Sequence, residues 1–264
     1  MNIKELKNFS EDIVGQFIFD YDLKKTNWLN IGGKAKAYFK PDSLTELVNF
    51  IKLFGSKEKV LILGAGSNIL INDKVFDGVV IKLSGKFSNI SMLPNKMIIA
   101  GSGARDKMLS DFALENNIGG LEFLSCIPGT IGGGLRMNSG CFGREFKDIV
   151  VSVQAIDKSG NILTIPSSKI KFDYRKSNLS KDLIFLSASF SGTNKSKKDI
   201  QKYTKLIKKK KDDSQPTKIK TGGSTFKNPL NQTDKKVWEL IKQAVPLNTK
   251  FGDAEISSKH CNFF

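Results

Sequence analysis

The sequence predicts an α+β fold, and three observations carry that expectation. Short apolar runs end in glycine turns, as where Val60-Leu61-Ile62-Leu63 meets Gly64-Ala65-Gly66-Ser67-Asn68 and Met97-Ile98-Ile99-Ala100 meets Gly101-Ser102-Gly103. Helical periodicity falls in separate segments rather than in regular alternation with strands. Ile149 to Ile156 alternates apolar and polar residues, turns at Ser159-Gly160-Asn161 and continues into Ile162 to Ile165, the pattern of a hairpin.

Taken in order, Ser43 to Glu46 reads as a capping box that opens a helix with Leu44, Leu47, Val48 and Ile51 on one face. The strand at Val60 and a second at Gly78 to Leu83 join it in a small α+β lobe, and Ile69-Leu70-Ile71 reads as a further strand. A helix from about Asp106 to Asn116 buries Met108, Leu109, Phe112 and Ala113 and stops near Gly119-Gly120. Lys198 to Lys211 forms a lysine-rich helix that ends before Pro216. A last helix, about Lys235 to Ala244, buries Val237, Trp238 and Ile241. No internal repeat is present.

At 264 residues the chain is long enough for about two domains with real cores. No segment is apolar enough to span a bilayer, and the start lacks the apolar region of a signal peptide, so a cytoplasmic protein is expected. Cys126, Cys141 and Cys261 have no metal-site spacing and are odd in number, which predicts packed, reduced thiols. His260 is the sole histidine, which excludes a multi-histidine metal site, and no metal is expected. The net charge of +16 is mostly lysine without interleaved aromatics, the pattern of a solvated face; neither nucleic acid nor membrane is an expected partner. Its field can steer polyanionic substrates.

The densest glycine run is Ile127-Pro128-Gly129-Thr130-Ile131-Gly132-Gly133-Gly134-Leu135-Arg136-Met137-Asn138-Ser139-Gly140-Cys141-Phe142-Gly143. Successive glycines let backbone N–H groups turn into one concavity that receives an anion, or let two chain segments cross closely. Gly64-Ala65-Gly66-Ser67-Asn68 lacks the third glycine and following helix of the dinucleotide-binding fingerprint, which disfavours that fold. A fourth turn, Gly222-Gly223-Ser224-Thr225-Phe226-Lys227-Asn228-Pro229, is rich in donors.

With Thr26-Asn27-Trp28-Leu29-Asn30-Ile31-Gly32-Gly33, Phe172-Asp173-Tyr174-Arg175-Lys176-Ser177 and Ser258-Lys259-His260-Cys261-Asn262-Phe263, these motifs stand in one order along nearly the whole chain. The set resembles the UDP-N-acetylenolpyruvoylglucosamine reductase (MurB-type) family. The resemblance implies a two-lobed FAD-binding unit of the PCMH or vanillyl-alcohol-oxidase type and a smaller α+β substrate-binding domain. The expected divisions are residues 1–25, 26–192 (two lobes, split near 85) and 193–264. It implies that NADPH reduces FAD, which then reduces UDP-N-acetylglucosamine enolpyruvate to UDP-N-acetylmuramate for the cell wall, in a monomer. Cofactor contacts are expected from Gly64, Ala65, Gly66, Ser67, Asn68, Gly129, Thr130, Gly132, Gly133, Asn138 and Gly140. Arg175 has the planar fork that clamps a carboxylate, and Ser224 matches the proton donor. Lys227 and Asn228 are expected to bind substrate.

The chain departs from the family pattern at Asn30, where arginine is common, and at Cys141-Phe142. The family's catalytic glutamate lies beyond the last motif, and Glu255 matches no catalytic position. The expectation is therefore a truncated copy that retains FAD but reduces the enol ether poorly, with Phe263 and Phe264 left uncovered at the start of a core strand. Two alternatives remain at this stage: another FAD oxidoreductase of the same architecture, and a non-catalytic flavin-binding remnant.

Overall fold

The computed structural model describes residues 3–216, 221–230, 232–247 and 249–264. Two sheets dominate it. The first is built from β1 (Gln16–Asp22), β2 (Lys34–Lys40), β3 (Val60–Ile62) and β4 (Phe76–Ile81) in the order β1-β2-β4-β3. β1 runs antiparallel to β2, whereas β4 lies parallel to both β2 and β3. Helices α1 (Ile3–Glu11) and α2 (Leu44–Phe54) supply apolar side chains that pack with this sheet.

Its core is aromatic. Phe39 and Phe50 are fully buried with ring centroids 5.0 Å apart, and Phe9 meets Phe50 edge-on at 5.6 Å. Burial of each such ring contributes about 1.5–3 kcal/mol. The face of α2 that achieves this is Leu47, Phe50, Ile51 and Phe54; Leu44, expected to be buried, is 40% exposed in the first turn. Ser43 caps the helix by accepting from the Glu46 N–H. Glu46 does not return that bond to Ser43. Its carboxylate accepts instead from the N–H groups of Val14, Gly15 and Asp42, and so ties the chain before β1 to α2.

The second sheet comprises β5 (Ile90–Met92), β6 (Ile98–Gly101), β7 (Val150–Ile156), β8 (Ile162–Pro166) and β9 (Ile184–Phe190), ordered β8-β7-β9-β6-β5 with every pairing antiparallel. The β7–β8 pair is the hairpin that the alternation predicts, in register from Ser152 with Pro166 to Ile156 with Ile162. Helices α3 (Asp106–Glu115) and α4 (Ile131–Met137) add Leu109, Ala113, Ile131 and Leu135 to its core. Met108, expected inside, is 47% exposed. Ile156, Ile184 and Leu186 reach into the aromatic core of the first sheet, so the sheets share one apolar seam.

Two further expectations change. Ile69 to Ile71 form no strand, because the segment runs past Gly33, whose N–H donates to the Asn72 carbonyl at 2.9 Å, and pairs with no neighbouring strand. Ile69 and Ile71 pack inward, whereas Leu70 is 75% exposed. The run Ile131 to Met137 is helical despite its three glycines. Thr130 caps it, and Gly134 lies where any Cβ would sit 2.1 Å from the Phe146 ring.

Beyond the sheets, α5 (Lys197–Ser214) buries only Ile200 and Ile207 and turns most of its lysines to solvent, whereas half-buried Lys211 donates to the Cys126 carbonyl. Helix α6 (Val237–Ala244) fully buries no residue, and Trp238 is 42% exposed, contrary to the expected buried face. His260 to Phe264 make a turn rather than a strand: Phe263 is buried, and Phe264 is 42% exposed. Among the described residues no helix is long and apolar enough to cross a membrane.

Candidate active site

Four stretches of chain build the site: two glycine loops that abut, and two turns joined by a hydrogen bond. The first is the loop Gly64 to Asn68 after β3. Gly66 adopts φ +69°, and a Cβ there would lie 2.1 Å from the Thr26 carbonyl oxygen. Only glycine fits both constraints. The Gly66 carbonyl accepts from the Trp28 N–H at 2.9 Å, which fixes the loop. Among the described residues, the N–H groups of Gly64, Ala65, Gly66, Ser67 and Asn68 have no protein acceptor.

The second stretch is the turn Gly129-Thr130 with the first turn of α4. Thr130 Oγ1 lies 2.7 Å from where a Cβ on Gly64 would be, so the two glycine loops meet there. Here the amide groups are already used. Ile131 donates to the Ala104 carbonyl at 3.0 Å, Gly132 to that of Ser102 at 2.8 Å, and Gly133 to Thr130 Oγ1 at 3.4 Å. An anion held between the loops therefore finds its free amides on the Gly64 side.

Residues 172–177 form the third stretch, a hairpin of Phe172–Asp173 and Lys176–Ser177 with Tyr174 and Arg175 in the turn. Arg175 takes φ +55°, a left-handed conformation that costs a side chain about 1 kcal/mol or more and is retained where the surroundings enforce it. Those surroundings are Gly140 and Asn138. Arg175 Nη2 donates to the Gly140 carbonyl at 3.2 Å. Fully buried Asn138 donates to the Asp173 carbonyl at 3.1 Å and to Glu145 Oε2 at 2.9 Å, and accepts from the Lys147 N–H at 3.0 Å. Both amide protons of Asn138 are thus used within the protein. Gly140 is held in its own short hairpin, where a Cβ would lie 2.2 Å from the Arg144 carbonyl oxygen. The cofactor contact expected of the Asn138 side chain gives way to a positioning role, because it has no donor left. No carboxylate pairs with Arg175 among the described residues.

The fourth stretch carries Ser224, Lys227 and Asn228. Asn228 Nδ2 donates to Tyr174 Oη at 3.4 Å, which joins this segment to the Arg175 hairpin, and its Oδ1 accepts from the Val237 N–H at 3.0 Å. Ser224 and Lys227 are solvent-exposed. What shapes their loop is Asn262, a member of the Ser258 to Phe263 motif to which the sequence assigned no role of its own. Its Oδ1 accepts from the Phe226 N–H and its Nδ2 donates to the Phe226 carbonyl, both at 2.9 Å. Its own carbonyl accepts from the Thr225 N–H, also at 2.9 Å. A polar residue set between Cys261 and the pair Phe263-Phe264 was the available signal.

Lys82 also escaped attention, although a lysine within Val79-Val80-Ile81-Lys82-Leu83 interrupts a buried run. Its ammonium donates to the Gly64 carbonyl. Burial, and secondarily the nearby Arg105 charge, lower its pKa from the ordinary 10.5 to about 8. Asp106, beneath Gly129, is fully buried, and neither carboxyl oxygen has a hydrogen-bond partner among the described residues; burial pushes its pKa well up, against the opposing pull of Arg105. Asn27 Oδ1 and Ser102 Oγ are likewise buried without partners, beside Gly66 and Gly132 respectively. Unclaimed amides and orphaned polar atoms around two abutting glycine loops are what a phosphorylated, many-atom cofactor such as FAD would satisfy.

Fold and site together define an FAD-binding oxidoreductase with an appended C-terminal block. An FAD-binding-domain model matches residues 35–166, and a model of the UDP-N-acetylenolpyruvoylglucosamine reductase C-terminal domain matches residues 215–264. The chain is 65% identical to the UDP-N-acetylenolpyruvoylglucosamine reductase of Pelagibacter ubique (strain HTCC1062), over 100% of this chain and 87% of that protein. It is 44% identical to that of Rickettsia conorii over 95% of the chain and 84% of the relative. The crystal structure of the Thermus caldophilus enzyme superposes with a TM-score of 0.81 at 27% identity, covering 94% of this chain and 86% of that one. The chain belongs to the UDP-N-acetylenolpyruvoylglucosamine reductase family. Its chemistry is that of an FAD-dependent oxidoreductase of peptidoglycan precursor synthesis, with NADPH as reductant.

Proposed function

We propose that the chain reduces UDP-N-acetylglucosamine enolpyruvate to UDP-N-acetylmuramate, with the substrate lying between the Tyr174-Arg175 turn and the Ser224 loop. The observation that carries this reading is the Tyr174–Asn228 hydrogen bond, which holds the two turns side by side. FAD, when bound, supplies the redox step, taking electrons from NADPH and passing them to the substrate double bond. Gly64, Ala65, Gly66, Ser67 and Asn68 would hold it through their amides, with Gly129, Thr130, Gly132 and Gly133 as the opposing wall. Gly140 and Asn138 act by holding the Arg175 turn.

Arg175 uses one N–H on Gly140 and keeps the rest of its fork for the substrate carboxylate, where negative charge grows as the double bond is saturated. Saturation also requires a proton on the carbon that bears the carboxylate, and Ser224 Oγ donates it. A serine hydroxyl is a weak acid, so its loop has to be covered by substrate before the donation is effective. Lys227 and Asn228 flank it, Lys227 as an unburied cation for the nucleotide phosphates. Residues 26–192 form the cofactor-binding unit and 193–264 the substrate-binding domain of a cytoplasmic monomer.

The test is Ser224→Ala against wild type in single-turnover assays. Reduction of the enol ether slows by about 10²–10⁴ while FAD affinity is unchanged. A rate within threefold of wild type removes Ser224 from the mechanism.

A further inference from the structure

We propose that Lys82, with Arg105 at the rim, is the counter-ion for the diphosphate of the bound flavin dinucleotide. This rests on the FAD reading above and adds to it the charge that the glycine loops themselves do not supply.

The case begins with a reversal of the usual pairing. Exposed Lys36 and Lys86 each hold a carboxylate at 2.7 Å, Asp77 and Asp42 respectively. Lys82, more buried than either, has no ion-pair partner among the described residues, and neither does Arg105. A cation withdrawn from water without an anion is costly, and such groups persist where a ligand completes them. Lys82 is also aimed, since its ammonium donates to the carbonyl of Gly64, the first residue of the loop whose five amides lack acceptors among the described residues. An ammonium has three protons, and the Gly64 carbonyl occupies one.

Arg105 stands at the same junction. Its backbone pairs with that of Thr130, whose hydroxyl abuts Gly64, and its charge is close enough to act on Lys82. The acid nearest that junction, Asp106, is buried, which raises its pKa, and neither of its carboxyl oxygens has a hydrogen-bond partner among the described residues. After burial, the Arg105 charge is the second cause that depresses the Lys82 pKa. Two cations and a row of free amides at one junction fit a diphosphate better than a single carboxylate.

Binding a dianion here restores the Lys82 proton, so uptake of FAD near pH 8.5 should also take up a proton. The experiment is calorimetric titration of apo-protein with FAD at that pH, in two buffers of different ionisation enthalpy, for wild type, Lys82→Met, Lys82→Arg and Arg105→Gln. The expected results are proton uptake by wild type, affinity about ten- to hundredfold weaker in Lys82→Met with the uptake abolished, and substantial recovery in Lys82→Arg. Arg105→Gln, at an exposed position, should weaken binding by a smaller factor and flatten its salt dependence. Proton uptake in wild type requires no variant, so a misfolded Lys82→Met leaves the test intact. Wild type that binds FAD without taking up a proton, or Lys82→Met that binds within twofold of wild type, overturns the assignment of Lys82 alone. Wild type that binds no FAD overturns the flavin reading with it.

Discussion

Replacing Asn262 by alanine tests whether the Ser224 loop has to be held for proton delivery. The substitution removes two of the three hydrogen bonds that shape the loop, those to the Phe226 N–H and carbonyl, and leaves the backbone bond from Thr225. Each lost bond contributes about 0.5–1.5 kcal/mol net, and because Phe226 is 53% exposed, water can replace part of it, so the total lies near 1–2 kcal/mol. If that energy is required again to order the loop around the substrate, the rate falls by about 5- to 30-fold. Anaerobic stopped flow separates the steps: flavin reduction by NADPH should stay within twofold of wild type, whereas reoxidation by UDP-N-acetylglucosamine enolpyruvate slows by the stated factor. Equal losses in both steps, or an unchanged reoxidation rate, would refute the view that Asn262 acts through Ser224.

Two further outcomes follow from packing and charge. In Gly134→Ala the new methyl meets the Phe146 ring at 2.1 Å, an overpacking cost of about 1–3 kcal/mol that the better helix propensity of alanine, about 1 kcal/mol, offsets only in part. Thermal melts should show a lower Tm, partly restored when Phe146→Leu is added; an unchanged Tm would mean that the ring moves freely. Between pH 8 and 10.5 the unfolded chain holds the Lys82 proton and the folded apo-protein does not, so stability rises with pH across that window, by about 1–2 kcal/mol after allowance for solvent screening. Denaturant midpoints of wild type against Lys82→Met check this, and parallel curves for the two proteins would remove Lys82 as the source.

The elements legible in the sequence were those with a strong period or a strong stop. The β7–β8 hairpin follows from alternation around Ser159-Gly160-Asn161, and α2 from its capping serine. What was not legible depends on neighbours distant in sequence. Leu44 and Met108 fit an apolar stripe, yet they are 40% and 47% exposed. Helix α4 contradicts its composition, because three glycines in seven residues disfavour a helix by about 1 kcal/mol each relative to alanine. It forms because Gly132 and Gly134 let it settle against Ser102 and Phe146, a benefit visible only when those partners are placed. The site shows the same division: the Gly64 and Ser224 motifs are local strings, whereas Asn262 and Lys82 become functional through Phe226 and Gly64.

That division bears on how the site keeps its shape. Its joints are polar: Asn138 to Asp173, Arg175 to Gly140, Tyr174 to Asn228 and Asn262 to Phe226. Apolar seams tolerate sliding, since their energy varies smoothly with area, whereas a hydrogen bond at about 2.9 Å fails within a fraction of an ångström. A reaction that must place a carboxylate against Arg175 and a proton donor at the adjacent carbon requires that stricter geometry. The joints also differ in strength. Buried Asn138 grips Asp173 in a saturated set of contacts, whereas the Tyr174–Asn228 bond is long at 3.4 Å and half-exposed. The Arg175 turn is therefore held firmly by the segment around Asn138 and Gly140, whereas the described contact of the Ser224 segment with that turn is the single long bond from Asn228.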